Sequence, residues 1–171
     1  MNTKHPSRRA VLSAAAVSVG MIGSAVHAKP NVSTNQSNKD IVRNALEAWS
    51  PGTNAPFIAL ISEDIRWTIV GHSLIAGTTN GKAELNEKTN LPFVARFNRS
   101  STKFRPVRIH GIYEDGDMVI IHFDGHGIAN DGKPYANSYA WFLTMRGGRV
   151  IAGTAFFDSI AFNDLWTRVR P

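Results

Sequence analysis

The chain has no cysteine, which removes disulfides, thiolate-bound metals and cysteine nucleophiles from consideration. It also lacks a long, strongly apolar run. Its most apolar stretch, near the N-terminus, contains Ser13, Ser18, Gly20, Gly23 and Ser24 and falls short of the ~20 residues that a membrane-spanning helix needs. A strong charge is missing too. The formal net charge of +6 includes Lys4, Arg8 and Arg9, which lie in a segment read below as removed. Without them, 16 basic residues face 13 acidic ones. The other cations are scattered, with one loose group at Arg96, Arg99, Lys103, Arg105 and Arg108 that reads as a solvated face. So modest a surplus argues against a nucleic-acid partner. What remains is 171 residues, 43% of them hydrophobic, enough for one domain with a proper core and too few for two.

The N-terminus has the grammar of an export signal. Ser7-Arg8-Arg9-Ala10-Val11-Leu12 precedes an uncharged stretch ending at Ala25-Val26-His27-Ala28, which gives a basic start, a weakly apolar middle and a small-x-small end. The paired arginines resemble the bacterial twin-arginine signal, with Val at position 11 where Phe is common. Residues 1–28 are therefore expected to be a signal peptide and 29–38 a flexible polar leader, with the domain running from 39 to 171. The expected location is periplasmic or secreted, with no stable membrane insertion after cleavage.

Periodicity sets out the rest. Asp40 to Ser50 spaces Ile41, Val42, Ala45, Leu46 and Trp49 as an amphipathic helix stopped by Pro51-Gly52. Asn54 is expected to cap a second short helix with Pro56 in its first turn. Ile65 to Val70 reads as a strand, Ala76 to Gly81 as a loop, and Lys82 to Asn98 as a helix broken at Leu91-Pro92. Lys103 to Tyr113 is extended. Three further strands follow at Met118 to Ala129, Tyr135 to Arg146 and Arg149 to Asp158. They are separated by Asn130-Asp131-Gly132 and Gly147-Gly148, pairs suited to tight turns. Ser159 to Arg168 reads as a final helix. Helices segregated from an antiparallel sheet make an α+β domain, and long half-buried strands favour a curved one.

This arrangement resembles the superfamily shared by nuclear transport factor 2, ketosteroid isomerase and the SnoaL-like polyketide cyclases. The resemblance spans roughly Lys39 to Trp166. It is carried by Trp67-Thr68-Ile69-Val70-Gly71, Ala76-Gly77 with Gly81-Lys82, Gly116-Asp117-Met118-Val119, Gly132 to Tyr139, and Gly148-Arg149-Val150 ending at Phe156-Phe157-Asp158. It implies a cone-shaped curved sheet (nuclear transport factor 2-like, or cystatin-like) closed by N-terminal helices around an apolar pocket, and homodimers formed through the sheets. Ala140 and Ile69 stand approximately where the steroid isomerases carry their two carboxylates, so that chemistry has no proton acceptor here. No arginine lies between two facing aspartates, as the epoxide hydrolase branch requires. The single acid that the cyclase branch places in its last strand corresponds to Asp158.

The candidate site follows. Asp158 is the candidate catalytic base, since a carboxylate beside two Phe rings suits abstraction of a carbon-bound proton. The same residue stands where it would cap the last helix. Strand alternation places Tyr135, Asn137, Tyr139 and Trp141 on one face as candidate ligand-binding residues, and His72 follows the first strand where a cone would open. His122, Asp124 and His126 share a face, but four strand residues span ~13 Å, so the two histidines cannot share one metal. No metal and no cofactor is expected. The expected partner is a small hydrophobic ligand, carbonyl-bearing or polycyclic. The chain would be either a cofactor-independent acid-base enzyme or a non-catalytic binding or dimerisation module.

Overall fold

The computed structural model of the chain describes residues 36–171; the expected signal peptide and most of the leader lie outside them. The elements are α1 (Asn38–Trp49), α2 (Ala55–Leu60), β1 (Ile61–Ile69), β2 (Gly77–Asn80), α3 (Lys82–Leu85), a π-helical turn (Asn86–Asn90), α4 (Leu91–Ala95), β3 (Arg105–Asp115), β4 (Met118–Ile128), β5 (Pro134–Arg146), β6 (Arg149–Phe157) and α5 (Ser159–Arg168). The strands form one curved six-stranded sheet in the order β2-β1-β6-β5-β4-β3. All pairs are antiparallel except β1 with β6.

Local chemistry explains most of these boundaries. Ser37 caps α1 by accepting from the Asp40 N–H, satisfying one of the donors a helix start leaves free. Asn54 does not do the same for α2, since its side chain makes no capping bond; Pro56 and the fixed φ it brings carry that start. The stretch read as a loop at Ala76 to Gly81 contains β2. Its residues are polar and carry no apolar alternation, because β2 pairs only at the sheet edge, Thr78 and Thr79 facing Thr68 and Trp67. The expected break at Leu91-Pro92 is absorbed rather than made. The Leu91 N–H reaches back five residues to the Asn86 carbonyl, and the wider turn lets Pro92 begin α4 without stranding a partner.

The core lies between the inner sheet face and the helices. Val42, Leu46, Ile65, Val119, Ile121, Phe123, Leu143 and Val150 are fully buried. Two strand glycines make room for aromatic rings there. A Cβ on Gly153 would lie 2.2 Å from the Trp67 ring, and one on Gly125 would lie 2.2 Å from Phe104, so each ring lies flat against bare backbone. A second cluster, Phe97, Tyr135, Phe162, Leu165 and Val169, joins α5 to the sheet. Arg96 bolts α4 to α5 without a carboxylate partner. Its guanidinium donates to the Pro92 and Trp166 carbonyls at 2.6 and 3.1 Å and lies over the Trp166 ring at 3.6 Å, a cation–π contact.

Candidate functional site

Alternation along β5 turns Tyr135, Asn137, Tyr139, Trp141, Leu143 and Met145 inward. Trp67 and Ile69 of β1 and Ala155 and Phe157 of β6 meet them from the neighbouring strands. The helices do not fill the space above. A cavity of about 540 Å³ remains, within the range of small-molecule sites. Its floor is aromatic: Trp49, Phe57, Trp67, Phe104, Tyr139 and Trp141 line it. Trp141 holds this floor together, with Trp67 perpendicular to it at 5.4 Å, Phe57 at 5.6 Å and Phe123 perpendicular at 5.0 Å. Its indole N–H is buried without an oxygen or nitrogen partner.

The polar groups on the wall are few. Asn54, Asn86, Thr89, Asn90, Lys103 and the Tyr139 hydroxyl are there. Among the described residues, no aspartate, glutamate, histidine or arginine lines the cavity. Lys103 is committed elsewhere, its Nζ donating to the Phe97 and Asn98 carbonyls at 3.1 and 2.6 Å. Burial pushes the Tyr139 hydroxyl well above the usual phenol range, reinforced by Tyr135, and burial raises Tyr135 as well. Both stay neutral at physiological pH.

Of the six residues singled out from sequence, the structure brings two to the cavity, Tyr139 and Trp141. Tyr135 stands one step behind, its hydroxyl 2.8 Å from that of Tyr139. Asn137 is further back. Its Nδ2 donates to the Tyr135 hydroxyl at 3.0 Å and to the Asp158 carbonyl at 2.9 Å, and its Oδ1 accepts from the Asp158 N–H at 3.0 Å. It is a clamp between β5 and the start of α5, and it lines a second hollow on the outer sheet face rather than the aromatic cavity.

Asp158 takes the second of its two expected places, that of a helix cap. It is exposed, and its carboxylate caps α5 by accepting from the Ile160 N–H at 2.8 Å. The clamp on its backbone turns the side chain out of the hollow, so Asp158 does not line the cavity. It borders instead that second, open hollow of about 590 Å³ on the outer sheet face, with Asp124, His126, Asn137 and Ser138. His72 is also displaced from its expected role. It sits exposed in the loop after β1, where its carbonyl accepts from Asn163 Nδ2 at 3.1 Å.

The outer face carries its own network. His110 Nε2 and Ser138 Oγ hold the two oxygens of Asp124 at 2.7 and 2.6 Å, which keeps that carboxyl below the usual aspartate range, Ser138 contributing most. The His110 and His122 rings stack at 4.3 Å. Further along the same face Phe142 and Phe156 pack edge to face, with Phe156 largely exposed.

Sequence reasoning missed much of the cavity wall. Trp49 read only as part of an amphipathic helix and Trp67 only as part of a strand, and Asn86, Thr89 and Asn90 drew no attention inside a predicted helix. A signal for the latter was present, because three polar residues fall at 86, 89 and 90, a spacing that clusters on one face of a helix.

The SnoaL-like domain family profile matches residues 42–152. No curated protein matches the chain in sequence. Solved structures of similar fold include a protein with a cystatin-like fold from Xanthomonas campestris, at 23% identity and TM-score 0.63, covering 77% of this chain and 98% of that one. An NTF2-like protein from Burkholderia thailandensis follows at 19% and 0.60, covering 76% and 97%. TerC, co-crystallized with polyporic acid, aligns at 18% and 0.56, covering 76% and 98%.

Proposed function

The chain belongs to the SnoaL-like domain family, and from the cavity just described we propose that it captures a small, flat, uncharged hydrophobic molecule without transforming it. The carrying observation is a cavity of about 540 Å³ with an aromatic floor and, among the described residues, no carboxylate, imidazole or guanidinium on its wall. Acid-base chemistry needs a group that exchanges a proton near neutrality within reach of the reacting atom. Among the described residues the ionisable groups on its wall are Tyr139, which burial holds neutral, and Lys103, whose Nζ serves the Phe97 and Asn98 carbonyls. The Tyr139 hydroxyl can donate to a ligand carbonyl when Tyr135 donates to it in turn. A fold neighbour, TerC, was crystallised with polyporic acid, and that it held a small organic molecule agrees with this use of the fold.

Three of the four tryptophans, Trp49, Trp67 and Trp141, line the cavity, so occupancy has an optical readout. Titration with 2-acetylnaphthalene is expected to quench tryptophan emission in the wild-type chain. Ala155→Phe, which fills the cavity from β6, is expected to abolish the quenching. Absence of quenching at millimolar probe, or an unchanged titration in Ala155→Phe, would overturn the reading.

A second reading keeps Asp158 as an acid-base group working from the outer hollow, favoured by the company of Asp124, His126 and Ser138 there. Turnover lost in Asp158→Asn would support it. Two further properties complete the proposal. The Arg8-Arg9 signature supports export, tested by retention of an Arg8→Lys, Arg9→Lys chain inside the cell. The exposed Phe156, packed on the half-buried Phe142, supports pairing of two copies through their sheets, tested by the sedimentation of Phe156→Glu.

A further inference from the structure

The cavity is graded from floor to mouth. Trp67, Ile69, Leu85, Phe97 and Tyr139 in its depth are buried. Asn54, Asn86, Thr89 and Asn90 are half-buried. Ile58, Leu91 and Val94 line it while being 42%, 65% and 51% exposed. An aromatic floor thus gives way to a ring of amides and then to an aliphatic lip. We propose that Asn86 and Asn90 are the specificity-determining pair at this entrance. They select an uncharged ligand end group that carries one hydrogen-bond acceptor and one donor side by side, with the flat body of the ligand pointing inward. This rests on the capture reading above and names the chemistry of the ligand it would take.

The pair stands at the two ends of the π-helical turn, four residues apart and so on one face of the helix, and both residues line the cavity. Asn90 Nδ2 donates to Asn86 Oδ1 at 2.9 Å. That bond locks the two carboxamides edge to edge and leaves Asn86 Nδ2 as a donor and Asn90 Oδ1 as an acceptor. Turning both amides over exchanges their roles and leaves the same donor and acceptor. A primary carboxamide, or a hydroxyl beside a carbonyl, matches this pattern with two hydrogen bonds. A carboxylate does not match, because it offers acceptors only and Lys103, the one cation on the wall, already serves the Phe97 and Asn98 carbonyls. A charged end left without a counter-charge at a half-buried site is disfavoured. Sites of this kind discriminate strongly, since an analogue that cannot complete the bonds leaves buried amide groups unpaired.

Three probes of nearly equal shape isolate the end group: naphthalene, 2-naphthamide and 2-naphthoate, each titrated by tryptophan quenching in the full chain. In the wild type, 2-naphthamide is expected to bind about tenfold more tightly than naphthalene, the scale of two net hydrogen bonds, and more tightly still than 2-naphthoate. Asn86→Leu and Asn90→Leu, made separately and checked for an unchanged circular dichroism spectrum, are each expected to erase that preference. Equal affinity for naphthalene and 2-naphthamide in the wild type overturns the assignment of the pair and leaves capture standing, as does a preference surviving in both variants. Failure of all three probes to quench overturns capture, and the pair falls with it.

Discussion

Replacing Asn137 by leucine tests whether this residue is a structural clamp or a ligand group. The side chain is 7% exposed and makes three hydrogen bonds, to the Tyr135 hydroxyl and to both backbone groups of Asp158. Leucine fills a similar volume with no polar atom. Tyr135 would keep Tyr139 as a partner, and the Asp158 carbonyl would keep the Phe162 N–H at 3.2 Å. The Asp158 N–H would have nothing. An orphaned donor costs roughly 1–3 kcal/mol and each lost net bond about 1 kcal/mol or less, so about 2–3 kcal/mol in all is a fair expectation. With an unfolding entropy of ~2.1 cal/mol/K per residue over roughly 136 folded residues, that loss lowers the melting temperature by roughly 7–10 °C. Thermal unfolding followed by circular dichroism measures it, alongside 2-acetylnaphthalene titration at 20 °C. A fall of less than about 2 °C would refute the clamp. A melting point close to wild type combined with lost probe binding would return Asn137 to the list of ligand groups.

Three other outcomes follow from the same geometry. Asp158→Ala removes the α5 cap and should cost about 1 kcal/mol, seen in urea unfolding, while probe affinity stays within about twofold; a large loss of affinity would place Asp158 at the site after all. Tyr135 and Tyr139 are neutral in the fold and raised above the ordinary phenol value, chiefly by burial. Their contribution is complete below about pH 10 and is lost as pH rises above it, because the unfolded chain releases those protons first; Tyr139→Phe should flatten that alkaline limb in stability measured against pH. Asp131 is held below the usual aspartate range first by its hydrogen bond from Arg168. The stability it contributes is present above about pH 4 and lost as pH falls through that value into its lower folded one, so Asp131→Asn should lose less stability than wild type between pH 5 and pH 3.

The C-terminal half was readable because each of its strands is bounded by a residue only a turn wants. Gly116, Gly132, Gly147 and Gly148 all take positive φ, and the alternation from Tyr135 to Trp141 points where period two says it must. Edge strand β2 was illegible because a four-residue strand of Gly, Thr and Asn has no buried face to leave a pattern. The cavity itself was legible only as an expectation from resemblance. Its floor is assembled from Trp49, Phe57, Trp67 and Trp141, which stand on four different elements, and no local periodicity records that they meet. Asp158 shows a different limit. A carboxylate after two Phe residues and before a helix carries the signature of both a buried base and a cap. The choice is made from 21 residues away by the amide of Asn137.

The bare backbone at Gly125 and Gly153 has a consequence for how such a chamber can change. Because Phe104 and Trp67 rest where those two side chains would begin, a single methyl added at either place would tip a ring inward and shrink the room from behind. Neither glycine is among the residues that line the hollow. The gauge of the binding space is therefore set from outside it, at two positions a guest never touches, and it can be narrowed without replacing any residue the guest meets.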